Sequence, residues 1–298
     1  MDHLHHYTAC PVCKSNQIQK SLVVKDFSVS SENFELWTCS ACSFRFTQNI
    51  PSQSQIGKYY QSDNYISHTN TSKGLINRLY LFIRKITLRQ KRNLLQSTTG
   101  LNTGTLLDIG AGTGAFASFM KTSGWGVTGL EPDLDARNRA SAINGISLLP
   151  SDELFSFPAE SFDCITLWHV LEHVHELDAY MKQLHKILKP KGRLLIAVPN
   201  YTSPDAQHYQ EHWAAYDVPR HLYHFSPVSM RALLNVHQFR LAGIKPMWFD
   251  SFYVSMLSEK YKTGKAGVIS GAIQGWLSNA KALFNKERCS SLIYIIQK

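Results

Sequence analysis

Four cysteines form two close pairs near the start of the 298-residue chain. Cys10 and Cys13 make one C-x2-C turn, and Cys39 and Cys42 make the second. Each turn presents two sulfurs to one point, so two turns complete the tetrahedral set that Zn²⁺ prefers. Four thiolates leave no open position for water, and a segment this short has little core. The pattern therefore predicts a small N-terminal zinc ribbon, residues 1–48, with a structural role.

A glycine-rich stretch, TLLDIGAGTG at 105–114, has the form of a strand that runs into a tight turn and opens a helix. Gly110, Gly112 and Gly114 let the backbone pass close to a ligand that meets the helix N-terminal amides. Asp108 stands at the strand end, where a carboxylate attracts an ammonium group and repels a pyrophosphate. Glu131, about 20 residues on, can accept both hydroxyls of a ribose. Asp108 therefore favours S-adenosylmethionine over a dinucleotide as the ligand.

Strand and helix patterns alternate after residue 104. Strands are predicted at 105–109, 127–130, 163–168, 193–198 and 291–296, with a shorter one near 146–149; helices are predicted at 115–123, 136–142 and 177–188, with a further start at Ser226 and Pro227. This alternation predicts an α/β fold, with a Rossmann-like, mostly parallel sheet and helices on both faces. Ligands bind such sheets outside the carboxyl ends of the strands, so Gly110, Glu131, Trp168 and Asn200 are expected to converge.

Two further motifs are FDCITLWHVLEH at 162–173 and DVPRHLYHFS at 217–226. With LDIGAGTG at 107–114 they resemble class I S-adenosylmethionine-dependent methyltransferases of the small-molecule and sugar type, over residues 100–243. The four-cysteine N-terminus is similar to that of sugar and natural-product methyltransferases, and less so to that of a ribosomal RNA guanine methyltransferase. The resemblance implies one set of cofactor contacts: Asp108, Gly110 and Gly112 at the methionine end, Glu131 at the ribose, Asp152 or Glu153 near the adenine, and Trp168 and His169 over the cofactor. Gly114 and Pro132 are further candidates for cofactor binding.

Four histidines, His208, His212, His221 and His224, follow the fifth strand of the predicted sheet. In this fold that region overhangs the methyl donor, and a histidine there is a suitable base. We expect His221 to be the catalytic residue, with His224 and His169 as further candidates. Arg220 beside it is expected to hold an anionic group of the acceptor. In the alternative interpretation Arg220, His221 and His224 only brace the loop.

The sequence thus predicts an enzyme that transfers a methyl group from S-adenosylmethionine to a small-molecule or sugar-like acceptor. One alternative is an RNA methyltransferase that uses the zinc ribbon for RNA contact. It is not favoured, because the fourth strand lacks the Asn/Asp-Pro-Pro-aromatic motif of base-amine methylation. The other is a non-catalytic zinc-ribbon binding module with a cofactor-sensing domain. The acceptor atom and the oligomeric state stay open.

Composition indicates the class of partner only in outline. The net charge of +9 and the pI near 9.2 favour anionic partners. A membrane-spanning stretch and a signal peptide are not found, which predicts a cytoplasmic protein. The expected division is 1–48 zinc ribbon, 49–98 connector and basic amphipathic helix, and 99–298 methyltransferase domain. Tyr59, Tyr60, Tyr65 and His68 are candidates for a lid over the cofactor.

Overall fold

The computed structural model describes residues 4–60 and 75–298, with side chains at 4–60 and 85–298. Of the predicted lid residues, Tyr65 and His68 lie outside this range. The described strands are β1 (Leu4–His5), β2 (Ile18–Lys25), β3 (Asn33–Cys39), β4 (Arg45–Thr47), β5 (Ile50–Pro51), β6 (Thr105–Ile109), β7 (Gly126–Leu130), β8 (Phe162–Trp168), β9 (Leu188–Pro199), β10 (Tyr223–His224), β11 (Arg240–Pro246) and β12 (Ser291–Gln297).

The α-helices of the described residues are α1 (Leu75–Thr99), α2 (Ala115–Thr122), α3 (Leu134–Asn144), α4 (Leu177–Ile187), α5 (Pro204–Tyr209), α6 (Pro227–Val236), α7 (Asp250–Thr263) and α8 (Val268–Phe284). Short 3-10 helices occupy several of the connections. Local chemistry explains several helix starts. Ser226 caps α6 through a reciprocal bond with Ser229, and Pro227 takes its first position. Within the described range, no helix has the length and apolar character needed to cross a membrane.

A six-stranded sheet has the order β11-β12-β9-β8-β6-β7. Strand β6 is parallel to both of its neighbours, and its Asp108 stands opposite Gly129 of β7 and Thr166 of β8. Its strands alternate in sequence with helices, so the predicted mixed α/β, mostly parallel fold class is confirmed. One element was predicted wrongly: residues 146–149 form no strand, because a single bridge between Leu130 and Leu149 is all that pairs there.

The chain divides into two compact units. The first contains Met1–Ile66, Leu171–Asp178 and Ala197–Tyr294, and the second contains Ser67–Val170, Ala179–Ile196 and Ile295–Lys298. These units cut across the sequence-based division at residues 48 and 98, which stays a prediction.

Within the first unit, a four-stranded sheet has the order β10-β4-β3-β2. Strands β2, β3 and β4 form an antiparallel meander from the N-terminal segment. Strand β10 comes from much later in the chain and pairs with β4, with Tyr223 opposite Phe46 and His224 opposite Arg45. A buried cluster around Leu36, Tyr209 and Trp213 packs beside this sheet. The cysteine-bearing segment is therefore built into the first unit through backbone pairing as well as through side-chain packing.

Candidate functional site

The glycine turn after β6 lies in the second unit and is closed on one side and open on the other. Gly110 has a φ of +69°, and a Cβ there would come within 2.3 Å of Val170 Cγ2. Gly112 has a φ of +56°, yet a Cβ there would meet no described atom within 4 Å. Both residues need glycine for their left-handed backbone. Gly112 is the point of the turn where a ligand can approach the main chain.

Two buried carboxylates flank this turn. Asp108 accepts a hydrogen bond from Thr166 Oγ1 at 2.7 Å, and burial raises its pKa to about 6. Glu131 accepts from the backbone N–H of Gly112 at 2.8 Å and from that of Asp133 at 3.1 Å. Burial also raises the pKa of Glu131. A carboxylate offers about four lone-pair positions. Glu131 therefore holds the turn in place and keeps capacity for further donors such as ribose hydroxyls.

A lysine connects Asp108 to a pair of aromatic rings. The rings of Trp168 and Phe116 meet edge to face at 5.7 Å, and Trp168 Nε1 is buried with no hydrogen-bond partner among the described residues. Lys91 of helix α1 places its ammonium 4.0 Å from the centre of the Trp168 ring and lowers the pKa of Asp108 electrostatically. The sequence predicts a basic amphipathic helix in this segment. The helical spacing does not show that Lys91 is the residue of that helix that reaches the end of β8.

The remaining predicted cofactor residues lie around this region of the second unit. His169 follows β8 with a φ of +58°. Pro132 is exposed, and its carbonyl accepts from Arg137. Asp152 and Glu153 lie on an exposed 3-10 helix after the Leu149 bridge, which also joins the Glu131 N–H to the Leu149 carbonyl. Because Ser156 Oγ already donates to the Glu153 carboxylate, Asp152 is the better candidate for the adenine.

The four cysteines of the first unit converge on one point. Their sulfurs all lie within 4.8 Å of one another, with 3.6 Å between Cys10 and Cys42 and 3.6 Å between Cys13 and Cys39. A disulfide needs about 2.05 Å. Four sulfurs at about 2.3 Å from a tetrahedral zinc are about 3.8 Å apart. The spacing fits a shared metal ion and does not fit disulfides.

The two cysteine turns have the same backbone conformation. The N–H of Lys14 donates to the Cys10 carbonyl, and the N–H of Ser43 donates to the Cys39 carbonyl. Lys14 and Ser43 both adopt left-handed φ values, 62° and 58°. Each turn thus aims both of its sulfurs to the same side. Burial raises the pKa of Cys10 to about 11.

A second cluster in the first unit joins Glu172, His173 and His221. A carboxylate oxygen and one nitrogen of each ring lie within 4.8 Å of one another. The rings of His173 and His221 meet edge to face at 4.6 Å. The backbone N–H of Leu222 donates to the backbone carbonyl of Glu172, which ties the two chain segments together. The cluster is thus assembled by main-chain pairing and carries the predicted residue His221.

Hydrogen bonds define which nitrogen of each ring carries the proton. His221 Nδ1 is 2.8 Å from the Ala215 carbonyl, and His173 Nδ1 is 3.0 Å from the Arg220 carbonyl and 3.0 Å from the Tyr60 hydroxyl. A carbonyl can only accept, so Nδ1 is the donor in both rings, and in the neutral form of each ring the lone pair is on Nε2. Burial, together with the charge of His221, lowers the pKa of His173 to about 4.

Two other predicted residues have structural partners. His224 is buried on β10, where its Nε2–H donates to Thr47 Oγ1 while that hydroxyl donates to the His221 carbonyl. The buried Arg220 pairs with Asp26 at 2.9 Å and with Asp217 at 2.7 Å. The structure therefore corrects the expectation that Arg220 holds an anionic group of the acceptor. Its guanidinium is committed to these carboxylates.

Asn200 also differs from expectation. Its amide nitrogen donates to the carbonyls of Glu287 and Cys289, and its amide oxygen accepts from Thr202, all within the first unit. Of the strand-end residues predicted to converge, Gly110, Glu131 and Trp168 belong to the second unit, while Asn200 has a structural role in the first. Glu172 and His173 were not predicted as site residues. The only sequence signal for them is that His173 follows His169 by four residues in the loop after β8.

A glycine turn on the first strand of a parallel sheet, with an acid before it and another on the next strand, defines a nucleoside-binding α/β protein of Rossmann-like type. Residues 80–242 match the profile of a family described as a methyltransferase domain. Since this match covers more than half of the chain, the protein belongs to that family of S-adenosylmethionine-dependent methyltransferases, and the predicted resemblance is confirmed.

Similar proteins agree with this assignment. The chain is 34% identical over 95 residues to a demethylmenaquinone methyltransferase of Tropheryma whipplei, which covers 30% of this chain and 40% of that protein. It is 30% identical over 105 residues to a ubiquinone biosynthesis O-methyltransferase of Caulobacter vibrioides, covering 33% and 42%. The chain thus spans less than half the length of these relatives. A crystal structure of a SAM-dependent methyltransferase from Archaeoglobus fulgidus shares the fold, with a TM-score of 0.50 at 18% identity over 72% of this chain and 94% of that one.

Proposed function

We propose that the protein transfers a methyl group from S-adenosylmethionine to a small-molecule acceptor. The observation that carries this proposal is the pairing of the open turn at Gly112 with the Glu131 carboxylate that accepts its N–H at 2.8 Å. A nucleoside ribose placed against Gly112 finds its hydroxyl acceptor already fixed. The site is thus organised before the cofactor arrives, which lowers the ordering cost of binding.

Asp108 supplies the contact that distinguishes this cofactor from a dinucleotide. Its carboxylate is buried, and the ammonium group of the methionine moiety would restore the solvation that burial removes. Glu131 would take the ribose and Asp152 the adenine amine. Trp168 would provide an apolar surface with one buried N–H. Each of these residues belongs to the second unit and holds the cofactor without taking part in bond making.

The bound cofactor supplies an activated methyl group on a sulfonium. The chain's own residues need only align the acceptor, exclude water and remove a proton where the acceptor carries one. We assign proton removal to His221, because its Nε2 keeps a lone pair while Nδ1–H is held by the Ala215 carbonyl. The buried Glu172 carboxylate stabilises the imidazolium that forms. His173, with its pKa near 4, stays neutral beside it and adds no opposing charge.

The names of the curated relatives support a small-molecule acceptor over RNA, since both belong to enzymes of quinone metabolism. Those relatives are matched over only about a third of this chain. From these relatives we therefore infer only that the acceptor is a small molecule that carries a proton at the methylated atom.

We further propose that Cys10, Cys13, Cys39 and Cys42 hold one structural Zn²⁺. The supporting observation is the separation of 3.6 Å in two sulfur pairs, together with the repeated backbone geometry of the two turns. Four thiolate ligands leave no position for a water molecule. The ion would stabilise the loops at the ends of β3 and its neighbours and take no part in methyl transfer.

The cofactor assignment is tested by calorimetry with S-adenosylhomocysteine and with NAD. Binding of the first and not of the second is expected. Glu131→Ala should weaken S-adenosylhomocysteine by about 1–3 kcal/mol, because ribose hydroxyls lose their acceptor and the Gly112 N–H loses its own. Asp135→Ala is the matched control, since it removes an exposed carboxylate four residues further on and should leave affinity unchanged. Binding of NAD alone, or equal affinity in Glu131→Ala, contradicts the assignment.

A further inference from the structure

Helix α8 has its large apolar side chains on the outside. Ile269, Trp276 and Phe284 are 78%, 61% and 95% exposed, and further exposed residues of the same helix are Val268, Ile273, Leu277 and Leu283. At about 100° per residue, positions 269, 273, 276, 277, 283 and 284 fall within an arc of roughly 120°. We call this set of six the outer face of α8. It is a continuous apolar surface and not a scatter of single residues.

The opposite side of α8 explains why these residues cannot turn inward. Gly271, Gly275, Ser278 and Ala282 are buried there. A Cβ at Gly271 would come within 2.4 Å of Met256 Cα, and a Cβ at Gly275 within 2.8 Å of Phe252 Cα, both on helix α7. The two helices therefore pack backbone to backbone through small residues. Only the outer face has room for large side chains.

The segment that contains α8 has a net positive charge. Between 259 and 288 the chain has six Lys or Arg residues and two Glu. The lysines at 260, 262, 265, 281 and 286 are exposed. The two acids are already engaged, because Glu259 accepts from Tyr209 and Glu287 pairs with Arg231. An exposed apolar helix face with a tryptophan in it, within a lysine-rich segment, is the combination by which a helix lies on an anionic lipid surface.

We propose that the outer face of α8 docks the protein on anionic membranes. A symmetric contact with a second copy would bring two positively charged segments together, which opposes that alternative. A lipid surface needs no matching pattern of charges. The segment lies after the family match at 80–242, so this docking is independent of the proposed methyl transfer.

Vesicle sedimentation of the full-length protein tests the proposal. We expect sedimentation with vesicles of phosphatidylcholine and phosphatidylglycerol, little with phosphatidylcholine alone, and release at high salt. The double variant Trp276→Ser with Phe284→Ser should lower the partition coefficient on the order of tenfold or more, because it removes two of the largest apolar side chains that would enter the lipid. Its control is Leu134→Ser with Ile143→Ser, which removes two exposed apolar residues of helix α3.

A second pair of variants separates charge from apolar contact. Lys281→Glu with Lys286→Glu should weaken sedimentation strongly, whereas Lys121→Glu with Lys191→Glu, of equal net charge but elsewhere on the surface, should not. All of these side chains are exposed, so the melting temperature checks that each variant is folded. The proposal fails if the wild type stays in the supernatant, or if the Trp276 and Phe284 variant sediments like the wild type. A dimer by light scattering that this variant dissociates, without vesicle binding, would assign the face to self-association instead.

Discussion

His221 owes its assigned role to a hydrogen bond that it makes through the other ring nitrogen. With Nδ1–H donated to the Ala215 carbonyl, the ring cannot rotate freely and Nε2 is left as the acceptor. Its neighbour His173 is oriented in the same manner by the Arg220 carbonyl. Main-chain carbonyls hold both rings, and the Tyr60 hydroxyl adds a contact to His173. Neither ring depends on a hydrogen bond from the other, so the side chain of one can be removed without releasing the other.

His221→Ala should lower turnover by roughly 10²–10⁴-fold if the ring removes the acceptor proton. The affinity for S-adenosylhomocysteine should stay unchanged, because the residues that hold the cofactor belong to the other unit. Single-turnover methyl transfer and calorimetry on the same variant measure the two effects. The matched control is His208→Ala, which removes an exposed histidine of helix α5.

Two results would count against this role of His221. Normal turnover in His221→Ala would remove the residue from the chemistry and leave His169, the other predicted candidate without an assigned structural role, as the base. A parallel loss of cofactor affinity and melting temperature would show instead that the ring only braces the loop. Rescue of turnover in His221→Ala by added imidazole would support proton removal, since a bracing role gives free imidazole nothing to restore.

At the scale of elements, the two cysteine turns are attached to a sheet that reaches beyond the N-terminal segment. Cys39 ends β3, β3 pairs with β4, and β4 pairs with β10 at Tyr223 and His224. Loss of the proposed zinc should therefore loosen a strand that lies far away in sequence.

Full-length protein should contain one zinc per chain by elemental analysis, and Cys39→Ser should release it. The expected cost is several kcal/mol of folding free energy, because the metal supplies most of the stability of such a small segment. Hydrogen exchange should increase in β3 and β4 and also in β10. Cys289→Ser, a change at a buried cysteine outside the cluster, should keep the metal. A metal-free protein whose four thiols titrate freely with no change in melting would contradict the site.

Elements whose signals lie in neighbouring residues are predictable from the sequence. The strand, turn and helix around Asp108 follow from neighbouring residues, and the predicted boundaries of β6, β8 and α4 differ from the structure by at most one residue. The cluster of Glu172, His173 and His221 joins segments about 50 positions apart, and no periodicity signals such a meeting. Helices α7 and α8 were not predicted. In α8 the buried face is formed by glycines and other small residues, which reverses the usual apolar pattern of a helix.

At the scale of the whole molecule, buried groups couple folding stability to pH in two opposite senses: His173 and His224 in one, and Asp108 and Glu131, whose pKa values burial raises, in the other. Burial lowers the pKa of His173 to about 4 and that of His224 well below its usual range, so both stay neutral in the fold. The unfolded chain protonates both below about pH 6.5, and stability is lost as the pH falls from there. Asp108 acts in the opposite sense. With its pKa raised to about 6, it takes up a proton in the fold first and regains stability between pH 6 and 4.

The net effect should be that of about one histidine. We expect the folding free energy to fall by up to about 1.4 kcal/mol per pH unit below pH 6, measured by denaturant titration between pH 7 and 5. His224→Gln keeps a donor for Thr47 and removes one titrating group, so its stability should be nearly flat over this range. Asp108→Asn should steepen the loss. An unchanged slope in His224→Gln would show that this histidine is protonated in the fold.

The late arrival of β10 also bears on how the chain is made. Arg45 and its partner His224 are about 180 residues apart, and a ribosome that adds 5–20 residues per second needs roughly 10–40 s to bridge that distance. During this interval the outer edge of β4 has no partner strand from its own chain, and an open edge can pair with other nascent chains. All four cysteines have been synthesised by residue 42. Metal uptake can therefore organise the N-terminal segment on the ribosome well before the strand that completes its sheet exists.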